Sequence, residues 1–577
     1  MPEERILTGY PSIDKPWIQY YSDGEKNLTI PEGSMYDYLY QCNRGYPNDI
    51  AIEYYGSKTT FRELFQKIDL CCRNLSALGI QKGEIVTVQT IPLPQAVVLI
   101  YALTRIGACG NMLFPDVTAA DVVYSMEKTH SKLLISVDKI FETYEKQLPA
   151  SFNKQIILMN VTDEMALIPS LLAKKKAAYT QSNQNLNVIF WKDFMKGSGQ
   201  DYPENHDENC PAFMLRTGGT TGVPKEVVLC SKGFNAIAHG VFYRDMCGGW
   251  KRQDTNILLL PPFIAFGIGS GIHHSFCYGM KTKIVLDVSP AAMSKLLNQY
   301  KPNYIMAGTM QVEQIMTDLN DSDLDLSFIK LINVGGEGIS NAYEEKLRAF
   351  AKAHHCNAVP LKGYGLTESS GGAACETIKA KQIGSVGIPM SLFNMKVVDP
   401  DTGKELTYNT PGEICISTAG VMLGYYQDQQ ATDEMIETVN GERWLHTGDI
   451  GVISEDGLLT ITGRIKRIIT CKEGIIYHKV FPKLLEDQLS MVDGIKDISI
   501  VGRSSRDVGN ELIAFVVPES SSDFEAAKER LEAYCAAHLQ TYETPVEYRC
   551  LNNLPRTMIG KVNYRALEKL AEEMQQN

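Results

Sequence analysis

The sequence predicts an α/β protein of two unequal units, a large N-terminal one and a small one that begins near residue 466. Three observations predict it. Short β-branched runs alternate with amphipathic helical stretches, the pattern of α/β layers with largely parallel sheets. At 577 residues the chain is too long for one core. A basic turn, GRIKR at 463–467, then precedes a tail that carries strands and helices of its own.

In chain order, EIVTVQT at 84–90 reads as a strand and PQAVVLIYALTRIG at 94–107 as the helix after it, and KLLISV at 132–137 leads into a charged helix. Two-sided burial is implied for such strands. Residues 173–186, rich in Lys, Gln, Asn and Ala, read as a surface helix and loop. Asn256 to Met280 lacks Lys, Arg, Asp and Glu, yet Pro261, Pro262, spaced glycines and His273–His274 make it a poor spanning helix. A buried strand, turn and helix beside a pocket is expected there, and no transmembrane segment. The N-terminus, MPEERILTGY, has neither the basic nor the apolar region of a signal peptide. In the tail, DISIVG at 497–502 and LIAFVVP at 512–518 read as strands.

With 44% hydrophobic and 21% charged residues, the composition is that of an ordinary globular protein. A net charge of −12 argues against nucleic acid as a partner, since a phosphate-backbone binder needs a basic surface. The 14 cysteines show no CxxC pair and no zinc spacing, so most are expected as small apolar core residues of a reducing cytoplasm.

Five segments carry chemistry. RTGGTTGVPKE at 216–226 packs Gly218, Gly219 and Gly222 with Thr217, Thr220, Thr221 and Lys225 into a turn suited to phosphates: close backbone approach, hydroxyl and N–H donors, and a cation. It is not a Walker loop, because Pro224 precedes the lysine; a Gly/Thr hairpin turn is the plain alternative. KGYGLTESSGG at 362–372 offers the ring of Tyr364, the hydroxyl of Thr367 and, in Glu368, a carboxylate able to hold a divalent cation. WLHTGDIG at 444–451 presents Asp449, whose carboxylate can accept from two vicinal hydroxyls. GRIKR sets Arg464 beside Lys466 and Arg467, and LPRTMIGKVNYRAL at 554–567 places Lys561 on a loop before the last helix. Each has a duller reading: Asp449 as a turn residue, Tyr364 as core, Glu368 as a helix cap, Arg464 and Lys466 as solvated charges, and Lys561 as a surface lysine near a helix start.

In this order and spacing the segments resemble the adenylate-forming superfamily of acyl-CoA synthetases, luciferases and peptide-synthetase adenylation domains, over nearly the whole chain. TTFREL at 59–64, GGEG at 335–338, GSVGIP at 384–389 and GEICISTAGVMLGYY at 412–426 fit as well. The resemblance implies a large domain, 1–465, of layered α/β subdomains with a β-rich portion, and a small mobile α+β lid, 466–577, pivoting at Lys466 and Arg467. It implies ATP, Mg2+ and CoA as cofactors. The 217–225 loop would cradle phosphates and Glu368 would hold the metal. Tyr364 and Gly365 would face adenine against Gly336, Glu337 and Gly338, Asp449 would hold the ribose with Arg464 nearby, and Lys561 would arrive from the lid at the reacting carboxylate. Lys561, Glu368 and Thr367 are the implied catalytic residues.

This chain departs from the pattern at Gly218, usually Ser; at Glu226, usually Gly; at Arg467, often Asp; and over CKEGIIYHKVFP at 471–482. Amino-acid-activating relatives carry an acid in the region matching 261–275, and PPFIAFGIGSGIHHS has none, so an ammonium would be buried unpaired. His239, Phe263, Ile264, Phe266, Gly267, Gly271 and Gly363 are read instead as an apolar pocket floored by small residues, for a fatty or arylalkanoic acid. CoA is the expected acceptor. A stand-alone enzyme loading a carrier protein is the alternative, and a non-catalytic nucleotide-binding module the third reading.

Overall fold

The computed structural model describes residues 7–171, 179–183, 185–217, 225–243, 246, 250–320, 322–336, 338–358, 360–473, 476–505, 509–520, 523–557 and 561–573. Two large, mostly parallel sheets make up most of the N-terminal unit. In the eight-stranded one, Ile85–Gln89 lies between Cys109–Leu113 and Leu133–Val137, with Gln155–Met159 and Asn187–Phe190 extending one side. The other side adds Pro211–Arg216 and then two antiparallel strands, Glu226–Cys230 and Gly424–Tyr425. The nine-stranded sheet is built on Thr255–Leu258, Tyr304–Ala307, Leu331–Val334 and Leu361–Tyr364, all parallel.

Helices Met35–Asn43, Phe61–Ala77 and Pro94–Ile106 share one core with strands of both sheets, which explains why strand residues such as Val86, Val88 and Leu258 are wholly buried. TTFREL starts a helix for a local reason: Thr60 accepts from the Glu63 N–H at 3.3 Å, while the Glu63 carboxylate accepts from the Thr60 N–H at 2.7 Å. Helix Pro94–Ile106 opens on a proline whose fixed φ suits the first turn. It is buried on almost every side, consistent with its all-round apolar sequence.

The 256–280 segment is the expected buried strand, turn and helix: Thr255–Leu258, a π-helical stretch Gly267–His274, and Ser275–Cys277. Among the described residues no helix is long and apolar enough to cross a membrane. Of the 173–186 surface helix and loop, residues 173–178 and 184 lie outside the described residues. The described cysteines form no disulfide, and all but Cys42, Cys356 and Cys550 are buried, as small apolar residues should be.

A third, antiparallel sheet holds Asn394–Val398, Gly412–Ser417, Ile436–Val439, Glu442–Ile453 and Leu459–Arg464. A single 3-10 turn, Ile465–Arg467, leads from it into the last sheet. There Ile495–Ser505 and Gly509–Pro518 pair antiparallel, with helices Pro482–Leu489, Phe524–His538 and Tyr564–Glu573 around them. Arg467 is packed into this small unit. Its guanidinium lies 3.6 Å from the Tyr564 ring centroid and donates to Glu486 Oε1 at 2.8 Å and to the Ile500 carbonyl at 3.2 Å. Lys466 is exposed. Surface ion pairs Lys346–Glu519 at 3.1 Å and Lys496–Glu313 at 3.7 Å join the two units, contacts of small energetic weight.

Candidate active site

Asp449 and Arg464 are 15 residues apart, yet the hairpin between Glu442–Ile453 and Leu459–Arg464 makes them direct cross-strand partners. Asp449 is buried at 5% exposure, and its carboxylate is held from two sides. Arg464 Nε donates to Oδ1, and the Tyr364 hydroxyl, from the end of the Leu361–Tyr364 strand, donates to Oδ2 at 2.7 Å. Burial and the Asp449 charge push the Tyr364 phenol far above its ordinary pKa, so it stays a donor. Arg464 is raised as well: the partial burial of its side chain, 46% exposed, opposes its charge, and the Asp449 carboxylate more than offsets that. A carboxylate has about four lone pairs, so a second acceptor position remains on each oxygen. The arrangement can accept from a vicinal diol.

Glu368 sits in a 3-10 turn, Thr367–Ser369, and its own carbonyl accepts from the Met422 N–H at 2.8 Å. That bond ties it to the short strand Gly424–Tyr425, which pairs with Glu226–Cys230 at the end of the 216–226 segment. Tyr425 therefore reaches both motifs. Its hydroxyl donates to Glu368 Oε1 at 2.9 Å, and Lys225 Nζ stands 4.6 Å from its ring centroid. Burial and Glu368 keep the Tyr425 phenol protonated. The half-buried Glu368 carboxylate, anchored through one oxygen, has the donor chemistry of a magnesium ligand. Sequence reading passed over Tyr425; its only signal was membership of the GEICISTAGVMLGYY segment.

Thr217 closes the base of the 216–226 segment, its N–H donating to the Lys225 carbonyl at 3.0 Å. Gly218, Gly219, Thr220, Thr221 and Gly222 lie outside the described residues, as does Glu337. Glu226, the departure from the family pattern, is a buried ion-pair residue that meets Lys128 at 2.6 Å and Arg216 at 3.8 Å. Gly336 and Gly338 are exposed, and Lys483 of the small unit reaches to 3.6 Å from where a Gly338 Cβ would stand. Behind the Tyr364 strand, Lys362, Glu344, Arg348 and Glu376 form a charge cluster in which burial pushes the Glu376 carboxyl up to about 7. Lys561 is exposed on the small unit; its backbone N–H donates to Thr557 Oγ1 at 3.2 Å and its carbonyl accepts from the Thr557 N–H at 2.7 Å.

Of the residues read as an acyl pocket, Phe266 lies against the Gly335 backbone, 3.1 Å from where a Cβ would stand, and Gly363 is next to Cys375 and Asn333. Phe263 meets Phe114 edge to face with centroids 5.4 Å apart. Ile264 is half-buried on the main core, and His239 Nδ1 bonds the Tyr38 hydroxyl at 2.8 Å. Burial lowers the His239 pKa, so it is a neutral polar group. The two helix glycines need a different account from the pocket floor expected of them. A Cβ on Gly267 would fall 1.8 Å from the Pro261 carbonyl oxygen, and one on Gly271 3.2 Å from Leu258 Cδ1. Their smallness lets this helix press onto its own preceding turn and onto the adjacent strand.

A family model described as AMP-binding enzyme matches residues 39–426, and a second, AMP-binding enzyme C-terminal domain, matches 484–561. The chain is 26% identical over 576 residues to a long-chain-fatty-acid–CoA ligase of Bacillus subtilis, covering 98% of this chain and 99% of the relative. It is 25% identical to 4-coumarate–CoA ligase-like 3 of Arabidopsis thaliana, over 89% of this chain and 88% of that one. Among solved structures, o-succinylbenzoate CoA synthetase from Bacillus subtilis, in complex with its acyl-adenylate, superposes with a TM-score of 0.72 at 20% identity, covering 94% and 99% of the two chains. At that identity the likeness is one of fold. The first family match spans more than half of the chain and the second falls in the small unit beyond it, and on that ground the chain belongs to the AMP-binding enzyme family and carries that family's C-terminal domain.

Proposed function

We propose that the chain is an AMP-forming acyl-CoA ligase for a fatty or arylalkanoic acid. A substrate carboxylate oxygen bonds to the α-phosphorus of ATP as the bond to pyrophosphate breaks; the CoA sulfur then bonds to the acyl carbon, its proton is lost and AMP leaves. The observation that carries the reading is Asp449, a buried carboxylate braced by Tyr364 and Arg464 with acceptor positions left for a ribose diol. Residues 1–465 hold the ATP and acyl sites, with Tyr364, Gly365 and the 336–338 turn facing adenine and Thr217 to Lys225 at the phosphates. Residues 466–577 form a lid pivoting at the Ile465–Arg467 turn and bringing Lys561 to the reacting oxygens. Glu368 would hold magnesium, with Thr367 beside it; the ion, when bound, neutralises phosphate charge.

Charge neutralisation and positioning are what the first step needs, because it gathers several negative charges around one phosphorus. The acyl reading is supported by the aromatic and aliphatic side chains of Phe263, Ile264 and Phe266, by the absence of an acid from 261–275, and by relatives named as long-chain-fatty-acid–CoA ligases. Pyrophosphate release with a panel of short, long and aryl acids and of amino acids, followed by addition of CoA or of a phosphopantetheinylated carrier protein, tests it. Pyrophosphate with fatty or aryl acids and thioester with free CoA are expected. Preference for an amino acid overturns the substrate class, and thioester formation on the carrier protein alone overturns the acceptor.

A further inference from the structure

The strand carrying Asp449 is not a regular partner of its neighbour. Along Gly412–Ser417 and Glu442–Ile453 the ladder runs Gly412 to Gly451 and Glu413 to Ile450, then jumps to Cys415 opposite His446. Residues 447–449 thereby stand opposite the single residue Ile414, two more than the partner strand supplies, and the backbone bonds lost there are replaced by side chains. Glu413 Oε1 accepts from the Gly448 N–H at 2.9 Å. Thr447 Oγ1 donates to the Ile414 carbonyl at 2.8 Å and accepts from the Asp449 N–H at 3.1 Å. Gly448 has φ +69°, a conformation that glycine adopts without steric cost. Such bulges re-aim a side chain, and the one re-aimed here is Asp449.

We propose that Glu413, paired with His446, is a positioning residue for nucleotide binding, its carboxylate holding the Thr447–Gly448 bulge so that Asp449 meets the ribose. The inference rests on the reading of Asp449 as the ribose carboxylate. Glu413 is 9% exposed and needs a counter-charge. His446 Nδ1 supplies it, 2.9 Å from Oε2. The hydrogen bond to Glu413 raises the His446 pKa against the effect of burial; Glu437, 3.8 Å from Nε2, raises it further and Lys396 lowers it. Lys396 itself lies 3.6 Å from Glu437, 4.5 Å from the Trp444 ring centroid. Cys415, 3.5 Å from Nδ1, is a neutral thiol because burial drives its pKa up.

A raised histidine pKa keeps the ion pair complete below the ordinary value of 6.5 and loses it as pH rises through the raised value. Nucleotide affinity should fall over the same interval. Donor atoms of Glu413, Cys415 and His446 also lie within 4.8 Å of one another, the spacing of a metal site. Two features favour the hydrogen-bonded pair: Glu413 Oε1 already holds Gly448, and the Lys396 ammonium stands close by.

The test uses the full chain with E413Q, E413L and H446Q, ATP binding by calorimetry at pH 6 and pH 8.5, the imidazole titration of His446 by NMR, and zinc content. E413L, which loses both bonds of the carboxylate, should weaken ATP binding about tenfold. E413Q, which can keep both bonds without charge, should weaken it about threefold, abolish its pH dependence and lower the His446 pKa. H446Q should likewise remove the pH dependence, and the KM for the carboxylic acid should not change in any variant. If E413L fails to fold, E413Q and H446Q carry the test. Wild-type ATP affinity and pH dependence in both would overturn the proposal, as would stoichiometric zinc that disappears in H446Q. A wild type that binds no ATP at any pH overturns instead the reading of Asp449, and this role with it.

Discussion

Asp449→Asn tests the proposed ribose contact because it changes charge and acceptor capacity but almost no volume. In the wild type each carboxylate oxygen already takes one donor, Arg464 at Oδ1 and the Tyr364 hydroxyl at Oδ2 at 2.7 Å, which leaves one lone pair per oxygen for a diol. An asparagine amide turns one of those acceptors into a donor, which faces either the Tyr364 hydroxyl or Arg464. At least one charge-assisted bond to the ribose is lost, about 1.5–3 kcal/mol, so ATP binding should weaken roughly tenfold to a hundredfold. The assay is calorimetric binding of ATP and of 2′-deoxy-ATP to both proteins. Wild type should bind ATP more tightly than its deoxy analogue, and Asp449→Asn should bind the two nearly alike. If the variant still discriminates as the wild type does, the carboxylate does not hold the ribose. A stability change would be a separate matter, because Arg464 is 46% exposed and loses little with its partner.

Lys561→Ala should cut acyl-adenylate formation by about a thousandfold while sparing thioester formation from a synthetic acyl-adenylate; equal loss in both half-reactions would count against a lid that exchanges faces. Tyr425→Phe removes the donor on Glu368 Oε1 and leaves an aromatic ring beside Lys225, so half-saturating magnesium in pyrophosphate exchange should rise about tenfold, and an unchanged magnesium dependence would sink that link. Gly267→Ala puts a methyl 1.8 Å from a backbone oxygen and should destabilise the fold by about 1–3 kcal/mol in thermal denaturation, whereas Gly45→Ala, with nothing within 4 Å, should not. An unaffected Gly267→Ala would mean that the helix yields, and that a larger residue there can test acyl-chain length directly.

Much of this molecule is legible along the chain. The strand–helix alternation, the apolar run from Pro94 to Ile106 and the Thr60–Glu63 cap are determined by neighbours a few residues away, where period and hydrogen-bonding type suffice. The order and spacing of the short motifs likewise pointed to the family before any contact was known. Tertiary structure alone decided which of those residues meet. Tyr425 is 57 residues from Glu368 and far from Lys225, and only the antiparallel strand Gly424–Tyr425 brings the three together. Gly267 and Gly271 read as room for a substrate, but what a small residue makes room for is set by the surface packed against it, here Pro261 and Leu258. Glu413 and His446 carry no signal of their role along the chain, since a bulge is a property of two strands in register, and a single strand's sequence does not contain its partner.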